Sequence, residues 1–142
     1  VDVEVVPGIT AALSGAAVLG APLAHDFCVI SLSDLLTPWS LIETRLECAA
    51  KGDFALCLYN PGSRKRADYL QKAVQILLQS GKDPATPCGY VRNIGREGQQ
   101  AQTLTLAELE TAEMDMFTTV FIGSSTTRIL GEYLVTPRGY RS

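Results

Sequence analysis

The sequence is poor in the residues that most often announce a chemistry. It has one histidine, His25, so a histidine-rich metal site cannot be assembled from it. Its four cysteines (Cys28, Cys48, Cys57 and Cys88) are far apart and form no CxxC pair, which argues against a zinc site and against a redox motif. FCVI, ECAA and ALCLY surround three of them with apolar or small residues, and buried free thiols in a reducing compartment are the expectation. Charge is also scarce. Only 19% of residues are charged, with 12 Lys and Arg against 15 Asp and Glu, giving a net charge of −3. A nucleic-acid footprint needs a basic patch or stripe, and the one dense basic cluster, Arg64-Lys65-Arg66, is followed at once by Asp68. No apolar run approaches the ~18 residues of a membrane span, and no signal peptide is recognisable. No GxxxxGK[ST] phosphate loop is present, nor any Ser-His-Asp or Cys-His order. The expectation is a soluble, cytoplasmic protein with no bound metal and no nucleic-acid or membrane partner.

What is present is enough for one domain with a core: 142 residues, 46% hydrophobic. The chain opens on Val1 within a strand-like pattern, which predicts a part of a longer polypeptide. Residues 3–6 read as a short strand and 10–19 as a helix of small residues stopped by Gly20-Ala21-Pro22. FCVISL (27–32) and FALCLY (54–59) read as strands buried on both faces. Helices are predicted over 39–50, where apolar residues recur at helical period, and over 66–79, where Tyr69, Leu70, Ala73, Val74, Leu77 and Leu78 share a face. Strands follow at 88–93, 102–106, 118–123 and 133–136. A short acidic helix over 106–113 is opened by Thr105 with Glu108 at capping-box spacing. Strands alternating with helices, then a β-rich end, predict a three-layer α/β fold: a mixed, mostly parallel sheet flanked by helices, with antiparallel strands at one side.

Strand-to-turn corners are the candidate sites, because ligands of open α/β sheets bind beyond the carboxyl ends of the strands. VVPGITA is the first. Pro7 fixes its own φ and extends Val6, Gly8 permits a tight turn, and Thr10 is placed to cap the helix. Ala11, Ala12, Gly15 and Ala16 then leave a thin helix face, suited either to close packing or to close approach of a flat ligand. LYNPGSRKR emits Tyr59 and Asn60, with basic residues at the unfavourable end of the next helix dipole. VRNIGREG offers Asn93 as donor and acceptor beside a glycine turn. FIGSSTTR is the fourth corner, and a parallel sheet would align all four along one cleft. The loop SLSDLLTPW adds Ser31, Ser33, Asp34 and Thr37 beside the lone Trp39, with Ser33 or Thr37 as a helix cap. His25-Asp26 does not read as an acid–base pair, since adjacent residues on an extended chain point apart.

Taken together, EVVPGITA, GAPLAHDFCVISLSDLLTPW, FALCLYNPGSRKR, VRNIGREG, MFTTVFIGSSTTR and VTPRGY resemble the tetrapyrrole methylase family, the S-adenosylmethionine-dependent enzymes of corrin and sirohaem synthesis. HDFCVISLSDLLTPW and RNIGREG resemble the branch that methylates C17 of a corrin precursor. The resemblance implies the carboxyl-terminal one of two α/β domains, with the amino-terminal domain and its GPG motif absent from this chain. It implies cofactor contacts at Pro7, Thr10, Ala11, Tyr59, Asn93, Ile94 and Gly95, and a homodimer. The implied reaction is methyl transfer to C17 of precorrin-3B, or its cobalt counterpart, with ring contraction. Ser33, Arg64, Arg66 and Arg96 would then meet the carboxylate-rich substrate, and Asp34 or His25 would move protons. The alternatives are methylation at C11 or C20, and a non-catalytic half-domain.

Overall fold

A computed structural model describes residues 1–8, 10–62 and 68–139. Helix α1 (Ala11–Leu19) leads into the two-residue strand β1 (Gly20–Ala21) and then β2 (Phe27–Ser31). Next come α2 (Trp39–Lys51), β3 (Ala55–Tyr59), α3 (Tyr69–Gln79), β4 (Pro87–Arg92) and β5 (Gln100–Thr105). A one-turn helix α4 (Leu106–Leu109), β6 (Thr118–Ile122), β7 (Arg128–Leu130) and β8 (Tyr133–Val135) complete the described chain. The predicted start of α3, at residue 66, lies outside the described residues.

The main sheet has the order β2-β3-β6-β4-β5, and β1-β8-β7 form a second, small sheet. Its two faces carry two cores. Leu56, Leu58, Val120, Ile122, Cys88 and Leu104 point to the side covered by α2, α3 and α4. Their alternating neighbours Cys57, Phe121 and Val91 point to the side covered by α1, through Ala12, Ala16 and Leu19. The three layers are as expected, and so are the apolar face of α3 and the capping box of α4. In the latter, Glu108 N donates to Thr105 Oγ1 (3.2 Å) and Thr105 N to Glu108 Oε1 (3.1 Å).

Strand sense differs from the expectation of a mostly parallel sheet. Within the five-stranded sheet only β2–β3 is a parallel pair; β3–β6, β6–β4 and β4–β5 are antiparallel, while β1–β8 in the small sheet is parallel. The last long strand, β6, inserts between β3 and β4 and runs against both. Nothing in its apolar sequence, TTVFI, records that direction, because a strand buried on both faces reads the same either way. Two further differences follow from position. β2 is an edge strand beyond the reach of α1, so Phe27 and Val29 are 39% and 46% exposed instead of buried. Residues 3–6 form no regular element and are exposed. Cys57 and Cys88 are buried free thiols, whereas Cys48 is exposed on α2. No helix among the described residues is long and apolar enough to cross a membrane.

Candidate functional site

Because β2, β3 and β4 share one direction, Ser31, Tyr59 and Arg92 end at the same edge of the sheet. The first turn of α1 meets them there: Ala12 N donates to Tyr59 Oη at 2.8 Å. Tyr59 thus satisfies one of the donors a helix leaves unpaired at its start. Thr10 supplies the cap itself, its Oγ1 accepting from Leu13 N at 3.4 Å. Pro7 lies exposed just ahead of it. The thin face of α1 has two uses. A Cβ on Gly15 would stand 2.8 Å from the Phe121 ring and 3.1 Å from Ile94 Cδ1, so that position is small in order to pack. Ala11, one turn earlier, faces an open cavity instead.

That cavity, of about 210 Å³, brings Ala11 together with Asn93 and Ile94 from the turn after β4. Asn93 takes a positive φ of 54° and its N–H donates to Phe117 O at 3.1 Å, which fixes the corner. Gly95 follows at φ 70° with open space where a side chain would project, and its N–H donates to Gln99 Oε1 at 2.9 Å. The opposite wall is formed by Met116 and Phe117, which remain 59% and 53% exposed. Sequence reasoning did not single out these two. The available signal was MF ahead of the core strand TTVFI: two large apolar residues where a buried strand has not yet begun. Arg96 also lines the cavity, its guanidinium 5.9 Å from the Phe117 ring centroid.

Asp34 and Ser33 lie on the loop after β2, at the same edge but towards α3. Tyr69 Oη donates to Asp34 Oδ1 at 2.5 Å, and the Tyr69 ring stacks on Trp39 at 5.7 Å. Ser33 N donates to Ser31 Oγ, which also receives Asn60 Nδ2 at 3.0 Å. Neither Ser33 nor Thr37 caps α2; Pro38 occupies that position. Arg64, Lys65 and Arg66 lie outside the described residues. His25 precedes β2 and so stands at the other edge of the sheet, away from Tyr59 and Asn93.

The fourth corner, FIGSSTTR, is also at that other edge, because β6 is reversed. It is a packed polar knot. A Cβ on Gly123 would come within 2.6 Å of Pro87 O and of Thr127 Cβ. Lys82, 8% exposed, donates from Nζ to Gly123 O at 2.6 Å. Asp53 accepts from Ser125 N at 2.9 Å and Ser125 Oγ at 2.5 Å, and Thr127 Oγ1 meets Thr136 Oγ1 at 2.7 Å. Burial pushes the Lys82 ammonium below its ordinary range, against the opposing pull of the Asp53 carboxylate. At Asp53 burial pushes the carboxyl up, but the two Ser125 hydrogen bonds and the Lys82 charge outweigh it and leave it low. Burial drives the thiols of Cys57 and Cys88 up to about 12, so neither is a thiolate at neutral pH.

A family model, Tetrapyrrole (Corrin/Porphyrin) Methylases, matches residues 1–110. The chain is 45% identical over 140 residues to a probable cobalt-factor III C(17)-methyltransferase of Salmonella typhimurium, covering 99% of this chain and 58% of that protein. The crystal structure of the methyltransferase CobJ superposes with a TM-score of 0.87 at 39% identity, over 96% of this chain and 56% of that one. A uroporphyrin-III C-methyl transferase from Thermus thermophilus, complexed with S-adenyl homocysteine, shares the fold with a TM-score of 0.59 at 21% identity, over 84% of this chain and 50% of that one. The chain therefore spans a little over half the length of the relative and of the CobJ chain it matches.

Proposed function

Since the chain belongs to the tetrapyrrole (corrin/porphyrin) methylase family, we propose that its Ala11–Asn93–Phe117 cavity is one wall of an S-adenosylmethionine site. In the whole protein that site would serve methyl transfer to C17 of a corrin precursor, coupled to ring contraction. One observation carries the reading. Ala11 and Asn93-Ile94, far apart in sequence, converge on a single cavity at the carboxyl edge, beside Tyr59. The residues suit such a cofactor. Ala11, Ile94, Met116 and Phe117 give flat apolar walls, the Asn93 side chain offers a donor and an acceptor, and Gly95 leaves space. The cavity of about 210 Å³ is smaller than the roughly 300–1,000 Å³ of a complete small-molecule site. This favours a half-site that the remainder of the protein completes, as the 58% coverage of the relative allows.

The bound cofactor supplies an already activated methyl on a sulfonium. What the protein adds is position: the carbon nucleophile must lie in line with the methyl and the sulfur. On this reading Ala11 and Asn93 fix the cofactor, and Tyr59 fixes the α1 turn that carries Ala11. Arg96 stands at the rim of the cavity, where a guanidinium can meet a substrate carboxylate. Asp34 is the better placed of the two proton-moving candidates, being at this edge with a donated hydrogen bond from Tyr69, while His25 is at the other. A cytoplasmic homodimer goes with the reading, and sedimentation velocity checks its dimeric part.

Calorimetric titration with S-adenosylhomocysteine tests the cavity directly. Saturable binding that is lost in Ala11→Trp, with the fold intact, supports it. Binding that survives Ala11→Trp removes the cavity from the cofactor site. Adding a corrin precursor, with or without cobalt, to the full-length protein and locating the new methyl then decides the ring carbon and the substrate.

A further inference from the structure

The lip formed by Met116 and Phe117 would be expected to move: both side chains are more than half exposed and no regular element contains them. Instead one carboxylate ties the lip down on three sides. Asp115 Oδ1 accepts from Phe117 N at 2.9 Å and from Thr118 Oγ1 at 2.9 Å. Its Oδ2 lies 3.5 Å from Arg92 Nε, the last residue of β4, and Arg92 Nε also reaches Thr118 Oγ1 at 3.4 Å. The carbonyl of the same lip, Phe117 O, accepts from Asn93 N. Asp115 therefore fixes the backbone at the start of β6, whose Phe117 O accepts from Asn93 N at the point where Asn93 turns into the cavity. It does not line the cavity itself.

We propose that Asp115 is a positioning residue of the cofactor site, holding the Met116–Phe117 lip at a fixed distance from Asn93 and Ile94. The inference rests on the reading of that cavity as the S-adenosylmethionine half-site. The hydrogen bonds to the lip do the holding. The half-exposed pair with Arg92 contributes little, since solvent-exposed ion pairs are worth roughly 0–1 kcal/mol.

The test titrates S-adenosylhomocysteine into the wild-type chain, Asp115→Asn and Asp115→Ala, and follows amide exchange in the unliganded proteins. Asp115→Ala should raise Kd about tenfold, the effect of losing hydrogen bonds to a charged acceptor. It should also speed exchange at Phe117 N and Asn93 N while leaving the centre of β6 protected. Asp115→Asn keeps an acceptor for Phe117 N and should restore most of both. Unchanged affinity in Asp115→Ala, or an Asn variant as impaired as the Ala variant, overturns the proposal. If the wild-type chain binds nothing, the half-site reading fails for this chain by itself. The exchange data then decide separately: unchanged protection at Phe117 and Asn93 shows that Asp115 does not hold the lip. Thr118→Val, which removes one of the same contacts without touching the carboxylate, should give a smaller effect in the same direction.

Discussion

The two edges of the five-stranded sheet are built from similar residue types and differ in what their polar groups are bonded to. At the edge where β2, β3 and β4 end, glycine and asparagine turns leave space: nothing stands within 4 Å of a Cβ on Gly95, and Met116 and Phe117 remain largely exposed. At the other edge, Gly123 is too crowded for a methyl and Lys82 is buried over its carbonyl, while Ser124, Ser125 and Thr127 line a second opening of about 370 Å³ with their hydroxyls bonded to one another, to Asp53 and to Thr136. Small polar corners are thus ambiguous. What separates a site from a knot is whether the polar groups are already satisfied by one another. Ser124, Ser125, Thr127 and Thr136 spend their groups on each other, on Asp53 and on the chain. Around the cavity, by contrast, the Asn93 backbone is fixed by Phe117 O, and Asn93 itself lines the opening.

The contrast can be broken most severely at the knot. Gly123→Ala places a methyl 2.6 Å from backbone, and denaturant unfolding should show a loss of about 3 kcal/mol or a failure to fold. Lys82→Met removes the buried donor to Gly123 O and should cost about 1–3 kcal/mol by the same measurement. At the open edge the order of effects reverses. Ala11→Trp should abolish binding of S-adenosylhomocysteine by calorimetry, while stability stays within about 0.5 kcal/mol, as at other exposed positions. Tyr59→Phe deletes the acceptor for Ala12 N and should lower stability by about 1 kcal/mol, with weaker S-adenosylhomocysteine binding as the second consequence expected from the proposed site. The subtlest difference is in pH. The Asp53 carboxyl is held below its ordinary value of 3.8, so its contribution is present above that pH and is lost as pH falls through the lower, folded-state value. Melting temperatures of wild type and Asp53→Asn should therefore differ at neutral pH and converge on acidification.

Much of the chain was legible because its signals are local. The capping box at Thr105 and Glu108, the apolar stripe of α3 and the Thr10 cap depend on residues within one or two turns, and the structure contains each of them. Of the cavity, Ala11, Asn93, Ile94 and Arg96 were visible as corner residues. Met116 and Phe117 were not, because the one mark they carry, two large apolar residues just ahead of a core strand, does not say which corner they will face. The exposed edge of β2 was hidden for the same kind of reason: FCVIS is apolar enough for an interior strand, and only the placement of α1 over β4, β5 and β6 leaves it uncovered.

By itself, then, the amino-acid sequence determined most of the longer elements, the family and the corners worth suspecting, since each follows from side-chain periodicity, turn chemistry and motif. Only the tertiary structure decided which corners meet. The insertion of β6 antiparallel between β3 and β4 sends FIGSSTTR to one edge and makes β3 and β4 point the same way, which gathers Ala11, Tyr59 and Asn93 at the other. Strand direction is set by which long-range pairing buries the most apolar surface with every backbone group bonded, and no short stretch of sequence encodes that sum.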